Sequence, residues 1–576
     1  MSVLSNASYF SSRLLGQSRF FDGAGAVIDI SLTTDDNQKI ADLFVEELNR
    51  ILRRLSVKDY EVKSLVFDNG INIALSYPYD LLMVACDLLD WVWLEVIDFL
   101  EKDLPIRTLK ATDIFEQMIE DNQQIILRKI YNKAREHKVN FFIQNDLIVL
   151  GSGVGQFRVK KNKLTKLKDI PWKKIHNVPT AIITGTNGKT TTTRLTEFIC
   201  RKAKLKSAYC STDWVMVNGK KVVEGDLSGP TGHQYAMMNQ KVEVAILEAA
   251  RGGIVKRGLM PNYADVATVT NIAYDHIGQN GINTLDDLAN AKGVVYNALK
   301  DDGIAIVNLD DEHIMKLNIP NKKAYISTKL AEKEISKYLT NDNYVVFIRD
   351  KHIVLKTKAV EHVLNKIDDI PITVYGLATY NYENVLHAVA LSYALDITPD
   401  QIIFGLKKFG ADDKSNFGRW NYYLSKNHGH LVVDIAHNPA GLENILSLAT
   451  GVKKLKNIDG KLRLMYGNTA DRRDTIPEIV SIINKYNVDE VIIKEFQESL
   501  RGSSLGEMPQ VFYDELIKQG FPDSKIKVIP NELEATAHIL NHTKKNDFTL
   551  LCSHELITDV SKLLRDTLAD EKKKVN

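Results

Sequence analysis

Apolar residues along this chain recur with two different periods, and the change between them marks out its organisation. Before residue 165 they fall at three- and four-residue intervals over roughly 35–55, 79–103 and 111–137, which predicts three amphipathic helices. A strand pair follows, with the apolar runs of 140–144 and 147–151 flanking the turn-forming dipeptide Asn145-Asp146. The lysine-rich stretch 160–174 reads as a solvated linker. From about 172 the pattern becomes short apolar runs, at 181–184, 242–247, 266–270 and 304–307, separated by helical patterns such as 192–204 and 285–299. That alternation predicts a mostly parallel sheet with helices on both faces. Runs at 431–435, 462–466, 491–494, 527–529 and 549–551 repeat it, so the fold class expected is α/β throughout the last two thirds, after an α+β N-terminal region.

The stretch Val178-Pro-Thr-Ala-Ile-Ile-Thr-Gly-Thr-Asn-Gly-Lys-Thr-Thr-Thr-Thr193 carries the clearest chemistry. A buried-type strand runs into Gly185, Thr186, Asn187 and Gly188, then Lys189, Thr190 and Thr191. Two glycines allow a tight turn whose N–H groups face an anion at a helix N-terminus. A lysine there supplies a point charge for β- and γ-phosphates, and the Thr190 hydroxyl can ligate Mg²⁺. The generic P-loop has an earlier glycine where this chain has Ile183, so the match is to the shorter Thr-Gly-Thr-Asn-Gly-Lys-Thr form. Downstream, Glu248 ends an apolar strand and is placed to hold Mg²⁺ beside the loop. Asn271 ends another strand that leads to Asp275-His276, and His276 is a usable ligand for a second divalent ion. Asp310 and Asp311 close a further strand, where they orient neighbouring groups.

Composition narrows the class. At 576 residues the chain has room for three or four domains of about 150 residues. Lys plus Arg is 74 against 73 for Asp plus Glu, so bulk charge gives no argument for nucleic acid. Cys86, Cys200, Cys210 and Cys552 fall at no metal-like or disulfide-like spacing and read as reduced thiols. The most apolar stretch, 81–100, is interrupted by Asp87, Asp90, Glu95 and Asp98, which excludes a membrane span there. Without a secretory leader pattern the expectation is a cytoplasmic protein.

The ordered strings Thr184-Gly-Thr-Asn-Gly-Lys-Thr-Thr191, Gly225-Asp-Leu-Ser-Gly-Pro230, Leu247-Glu-Ala-Ala-Arg-Gly-Gly253 and Thr270-Asn-Ile-Ala-Tyr-Asp-His-Ile-Gly278 are joined by Asn381-Tyr-Glu-Asn384, Gly418-Arg419 and Asp434-Ile-Ala-His-Asn-Pro-Ala-Gly441. Asp471-Arg-Arg-Asp474, Leu500-Arg-Gly502 and Gly506-Glu507 complete the series. Together they resemble the Mur ligase superfamily, most closely the Mur-like portion of the cyanophycin synthetases. The segment 134–158 also resembles the end of the N-terminal domain of those synthetases. In them an ATP-grasp domain comes next, whereas here about 20 residues separate Arg158 from the phosphate-loop strand, so the resemblance is to a synthetase without its ATP-grasp domain.

The resemblance implies three domains: a cyanophycin-synthetase-like α+β domain over 1–165, a Mur-ligase central P-loop ATPase domain over 172–415 and a Rossmann-like C-terminal domain over 416–576. It implies ATP and Mg²⁺ as cofactors. Lys189, Glu248, His276 and Arg419 would be catalytic, with Thr190, Glu248 and His276 as metal ligands. Lys292 lies where many Mur ligases carry a carbamoylated lysine, although a plain helix-face lysine is an equal reading. Gly185, Thr186, Asn187, Gly188, Thr191, Asn271, Asn381 and Asn384 would line the nucleotide, with Arg419 at the γ-phosphate and Asp434 at the ribose. His437, Asn438, Asp471, Arg472, Arg501 and Glu507 are candidates for substrate contacts, set against the reading that each is an ordinary surface residue. The implied reaction is ADP-forming amide synthesis, in which an acceptor carboxylate becomes an acyl phosphate and an amine captures it. Arginine joined to Asp or Glu side chains of an acidic peptide or polymer is the leading substrate pair. A poly-glutamyl or small-metabolite amide synthetase and a nucleotide-binding subunit of a separate ATP-grasp protein stay open. A homo-oligomer is compatible with either, and no nucleic-acid or membrane partner is expected.

Overall fold

Period-two patterning, alongside helical spacing, shapes the first 80 residues. In the computed structural model, which describes residues 7–573 apart from Thr165, Asp275, His276, Gln279 and 411–414, four antiparallel strands lie in the order Ser8–Leu14, Gly25–Ser31, Gly70–Ser76 and Glu61–Phe67. Ala26, Ile28 and Ile30 point to one face of this sheet and Val27 to the other, as alternation in a strand requires. The first face is covered by helices Asn37–Leu52 and Leu82–Lys102, whose Phe44, Leu48, Leu89 and Trp93 fill the core. Helical spacing alone misses these strands. Their signal was the two-residue turn Asp68-Asn69 between alternating segments, a hairpin connection.

The structure corrects two further expectations. The single helix expected over 111–137 is two helices, Thr108–Asn122 and Ile125–Glu136. Gln123 is extended between them, with φ −63° and ψ 132°. Asp80 pins the break: its carboxylate accepts the Gln124 N–H at 2.8 Å and holds the Arg128 guanidinium at 2.9 and 3.1 Å. Apolar spacing continues through the break, so periodicity could not reveal it. The segment 160–174 is also more than a linker. Leu164 and Ile170 are buried against Ile130 and Leu150, while most of its lysines face water. The expected hairpin is present, Phe141–Gln144 pairing with Leu147–Leu150, and Asn145 turns with φ 56°.

By contacts the chain divides into two units, Met1–Leu364 with Glu383–Gly405 and Asn365–Tyr382 with Leu406–Asn576. The first holds the expected parallel sheet. Its strands run Ser207–Cys210, Val244–Glu248, Thr180–Thr184, Ala264–Val269, Leu299–Asn308, Lys322–Ser327 and Tyr344–Arg349, each parallel to the next. Trp214–Val217 and His352–Thr357 add antiparallel strands outside these. Thr180–Thr184 is buried along its whole length, as a central strand with both faces covered should be.

The second unit has its own sheet in the order Asn421–Ser425, Gly429–Asp434, Phe548–Cys552, Leu462–Tyr466, Glu490–Ile493 and Ile526–Val528. The first pair is antiparallel and the rest parallel. The last strand in sequence therefore sits inside the sheet. Arg463 ties it in: its Nε lies 2.7 Å from Glu490, and it pairs with the buried Asp547, which also accepts the Lys461 N–H at 2.9 Å. Among the described residues no helix is long and apolar enough to cross a membrane, and all four cysteines are buried and unpaired.

Because Arg463 and Asp547 are both nearly inaccessible, removing the guanidinium strands a buried carboxylate. Arg463→Met is expected to lower the stability of the second unit by about 3 kcal/mol in thermal unfolding, and adding Asp547→Asn is expected to restore part of it.

Candidate functional site

Strand Thr180–Thr184 passes directly into the loop Gly185-Thr-Asn-Gly188, and helix Lys189–Lys202 begins at once. Gly185 has φ 145° and Gly188 φ 80°, values that disfavour side chains. Space forbids them as well. A Cβ on Gly185 would lie 1.9 Å from Thr270 Oγ1, and one on Gly188 would lie 1.9 Å from Asn384 Oδ1. Neighbouring strands hold the loop open. The Thr270 hydroxyl donates to the Asn187 carbonyl at 2.6 Å, and the Thr186 and Asn187 N–H groups donate to the Asn271 carbonyl and side-chain oxygen at 2.8 and 2.9 Å. Lys292, 3% exposed, donates to the Gly185 carbonyl at 2.7 Å, and Lys189 donates to the Thr186 carbonyl at 2.9 Å. Thr191 lies half-buried in the first helical turn.

Glu248 stands beside this loop because its strand pairs in parallel with Thr180–Thr184, Glu248 opposite Ile183. It is 0% exposed, and the Thr190 hydroxyl donates to its Oε1 at 3.1 Å. Its Oε2 is buried with no hydrogen-bond partner. Burial pushes its proton affinity up to about 7, with Lys189 and the Thr190 hydroxyl opposing that rise. An unpartnered carboxylate oxygen next to a hydroxyl at a helix N-terminus fits a divalent ion accompanying a nucleotide phosphate. Thr190 and Glu248 would hold the ion, and the loop 185–190 the phosphates. Among the described residues no three His, Cys, Asp or Glu side chains gather into a metal nest. His276, the expected ligand of a second ion, lies outside the described residues.

The remaining first-unit candidates act on the loop itself. Asn271 is shared between it and Glu383, whose carboxylate accepts the Asn271 amide at 2.8 Å and is pushed up to about 7 by burial. Asn384 is buried and accepts from the Thr192 hydroxyl at 3.4 Å. Asp311 accepts the Ile272 N–H at 2.7 Å and caps a short helix, while Asp310 accepts the hydroxyls of Ser327 and Thr328.

In the second unit, candidates gather at the C-terminal ends of the parallel strands. Asp434 accepts the Trp420 and Ala436 N–H groups at 2.7 and 2.9 Å, which fixes the loop carrying Arg419. Burial raises its proton affinity against the pull of Arg419. Asn381 donates to the Ile372 carbonyl at 2.7 Å. Asn438 caps helix Pro439–Leu455 through the Gly441 N–H at 2.8 Å. Asp471 pairs with Arg501 at 2.7 Å, Glu507 pairs with Arg473, and Arg472 donates to the His437 carbonyl at 3.4 Å. Burial, with the charges of Arg472, Arg419 and Arg501, lowers the proton affinity of His437.

Two groups escaped the sequence reading. One is a cavity of about 590 Å³ in the first unit, lined by Lys189, Lys292, Arg251, Lys256 and Arg257 and by a single acid, Asp226. The other is a buried cluster in the second unit. Lys494 bonds Glu532 at 2.8 Å and His554 Nδ1 at 2.9 Å, and lies 3.4 Å from the Phe496 ring centre. Burial and the adjacent Lys494 charge depress the proton affinity of His554. The signal was a lysine ending the apolar run 491–494, a position where charge is costly unless paired.

Glu248 makes a pH dependence. Its folded proton affinity lies above its unfolded one, so the folded chain binds more protons between about 4.5 and 7. The stability of the free protein is therefore expected to fall as pH rises through that window. Glu248→Gln should remove the fall, raising stability above neutral pH by about 2 to 3 kcal/mol in denaturant titration, while weakening nucleotide–divalent-ion binding at least about tenfold. Gly188→Ala should weaken nucleotide binding by a similar factor, read by calorimetry, through collision with Asn384.

Comparison with known proteins accords with this geometry. The Mur ligase middle domain matches residues 183–392, and the Mur ligase, glutamate ligase domain matches 418–554. The chain is 31% identical over 390 residues to the cyanophycin synthetase of Crocosphaera subtropica, covering 67% of this chain and 44% of that protein. It thus spans less than half the length of that synthetase. It is 24% identical over 383 residues to the UDP-N-acetylmuramoyl-L-alanyl-D-glutamate–2,6-diaminopimelate ligase of Listeria monocytogenes, covering 64% and 72%. Among solved structures, a bifunctional folylpolyglutamate synthase/dihydrofolate synthase with Mn, AMPPNP and L-glutamate bound aligns with TM-score 0.44 and 17% identity, over 67% of this chain and 89% of that one. With both domain models matched in order, and the phosphate loop in the first of them, the chain belongs to the Mur ligase family.

Proposed function

We propose that this protein is an ATP-dependent, ADP-forming ligase that joins the carboxylate of an acidic acceptor to an amino acid. The observation that carries the reading is Glu248, buried at the phosphate loop with one oxygen on Thr190 and the other unpartnered, beside a cavity with five cations and one acid. When bound, ATP with a divalent ion such as Mg²⁺ supplies a phosphoryl group that turns the unreactive carboxylate into an acyl phosphate for an amine to capture. The chain's own residues do the rest. Lys292 neutralises the Gly185 carbonyl, and since Asn271 takes the Thr186 and Asn187 N–H groups, the start of helix Lys189–Lys202 is what faces the anion. Lys189 adds a point charge where negative charge moves during transfer. Ionised Glu248 and Thr190 would hold the divalent ion. Arg251, Lys256 and Arg257 orient an acceptor carrying several negative charges, which suits an acidic peptide or polymer better than a neutral one.

Arginine is the leading incoming amino acid. A second reading, an amino acid recognised through a carboxylate, draws on a different observation. Asp471 and Glu507, the acids that would receive a guanidinium, are each already paired with an arginine. Within the second unit this edge is therefore cationic around Arg419 and Arg472. A panel of amino acids supplied with an acidic peptide separates the two.

ADP release that requires both acceptor and amino acid is the expected result, and Lys189→Ala should reduce it on the order of 100-fold. Lys256→Glu is expected to raise the acceptor KM about tenfold with kcat little changed, since its charge contributes to binding alone. Lack of ADP release with every acidic acceptor and amino acid, despite tight nucleotide binding, would contradict the reading.

A further inference from the structure

Helix Pro230–Met237 joins the cationic cavity to the carboxylate at the phosphate loop. Its first turn, Pro230, Thr231 and Gly232, lines the cavity. Its buried Ala236 and Met237 share a core with Ala245 and Leu247, on the strand that ends at Glu248. Two hydrogen bonds tie this segment to the strand end. The Ser228 carbonyl accepts the Ala250 N–H at 2.8 Å, and His233 Nε2 lies 2.8 Å from the carbonyl oxygen of Glu248 itself.

The second bond falls where the sheet runs out. Strand Ser207–Cys210 pairs with Val244–Glu248 only as far as Leu247 opposite Cys210, and the Ser211 N–H then turns to the Trp214 carbonyl. Cys210 offers the Glu248 carbonyl a thiol at 3.8 Å, a weak donor. A carbonyl oxygen can only accept, so His233 donates to it, with a hydrogen on Nε2. The imidazole is 0% exposed, and its Nδ1 has no hydrogen-bond partner, which leaves the bond to Glu248 as the ring's polar contact.

Glu248 is therefore held at two points. His233 fixes its backbone oxygen and Thr190 meets its Oε1, so the unpartnered Oε2 has a defined place. A ligand has to be kept within about 0.5 Å of its productive position, and a strand end released from its last bond is free to move further than that. Groups that orient a metal ligand without touching the metal are commonly worth about 10–100-fold in metal affinity.

We propose that His233 is a positioning residue for Glu248, holding the strand end from which the carboxylate reaches the divalent ion that accompanies the nucleotide. The proposal rests on the reading of Glu248 as an ion ligand, and its test separates the two.

That test is calorimetric titration of the full chain with a non-hydrolysable ATP analogue, in excess Mg²⁺ and again with a chelator. The parent protein should bind more tightly with the ion. His233→Leu and His233→Asn should lose about 10–100-fold of affinity in Mg²⁺, with little change in chelator, where Glu248 has no ion to hold. His233→Gln, whose amide N–H reaches to about the place of Nε2, should stay close to the parent. If His233→Leu does not fold, the Asn and Gln variants decide the matter, with circular dichroism showing both to be folded. Unchanged affinity in Mg²⁺ for folded His233→Asn would overturn the proposal and leave the ion-ligand reading standing. Equal losses with and without the ion would also overturn it, since a merely structural role predicts them, as would His233→Gln no better than His233→Asn. A parent protein indifferent to Mg²⁺ would end the ion-ligand reading and the proposal together.

Discussion

Parallel pairing of Val244–Glu248 with Thr180–Thr184 brings a carboxylate to the mouth of the phosphate loop, and it does so at a place water does not reach. A charge there has to be met by something. In the protein alone the answer is incomplete, with one hydroxyl on Oε1, nothing on Oε2 and a proton affinity displaced towards neutrality. Much of the first unit can be read as support for that incompleteness. Thr270, Asn271, Asn384 and Lys292 hold the loop from neighbouring elements, so that its glycines keep conformations no other residue would tolerate. A loop held so firmly in advance has little left to reorganise when an anion arrives, which is the physical basis of electrostatic preorganisation.

The second unit treats charge in the opposite way. Lys494 and Glu532 are both inaccessible, yet they neutralise one another, and Glu532 also accepts from Ser553 and from backbone N–H groups of 554–556. Burial works against ionising Glu532, but the lysine's charge and these bonds pull its proton affinity down to about 2. Such a cluster is satisfied in itself and acts as a rigid mount. The ion pairs of Asp471 with Arg501 and of Glu507 with Arg473 are exposed and therefore easily exchanged for a ligand's own charges.

Legibility in the sequence followed the physics of each feature. The parallel sheets were readable because strands buried on both faces are apolar without interruption, and 181–184 or 549–551 admits few other interpretations. Gly185, Gly188 and Lys189 were readable because a phosphate cradle needs those residue types at that spacing. The antiparallel N-terminal sheet was not, since its alternation of apolar and polar positions is diluted by serines in stretches such as Ser8–Leu14. Nor was the break at Gln123, which is made by Asp80, more than 40 residues earlier. The cationic cavity draws on Lys189, Lys292 and the segment from Arg251 to Arg257, residues distant in sequence that only the sheet order brings together. Asp434 was singled out as a ligand contact, and each of its oxygens also accepts a backbone N–H. A motif records that a residue matters without recording what it touches.

The placement of Phe548–Cys552 inside the second sheet has a consequence for the birth of the protein. Emerging from the ribosome, this unit first offers the hairpin Asn421–Ser425 with Gly429–Asp434, and later the three-stranded group beginning at Leu462. These halves have no mutual backbone bonds until the strand that joins them is made, more than 110 residues after the first of them is complete. Each exposes an unpaired inner margin throughout that interval, a template for pairing with the wrong chain. Slow translation through this stretch would prolong the exposure, so the nascent half-sheet is the stage at which a cell's chaperones have most to do.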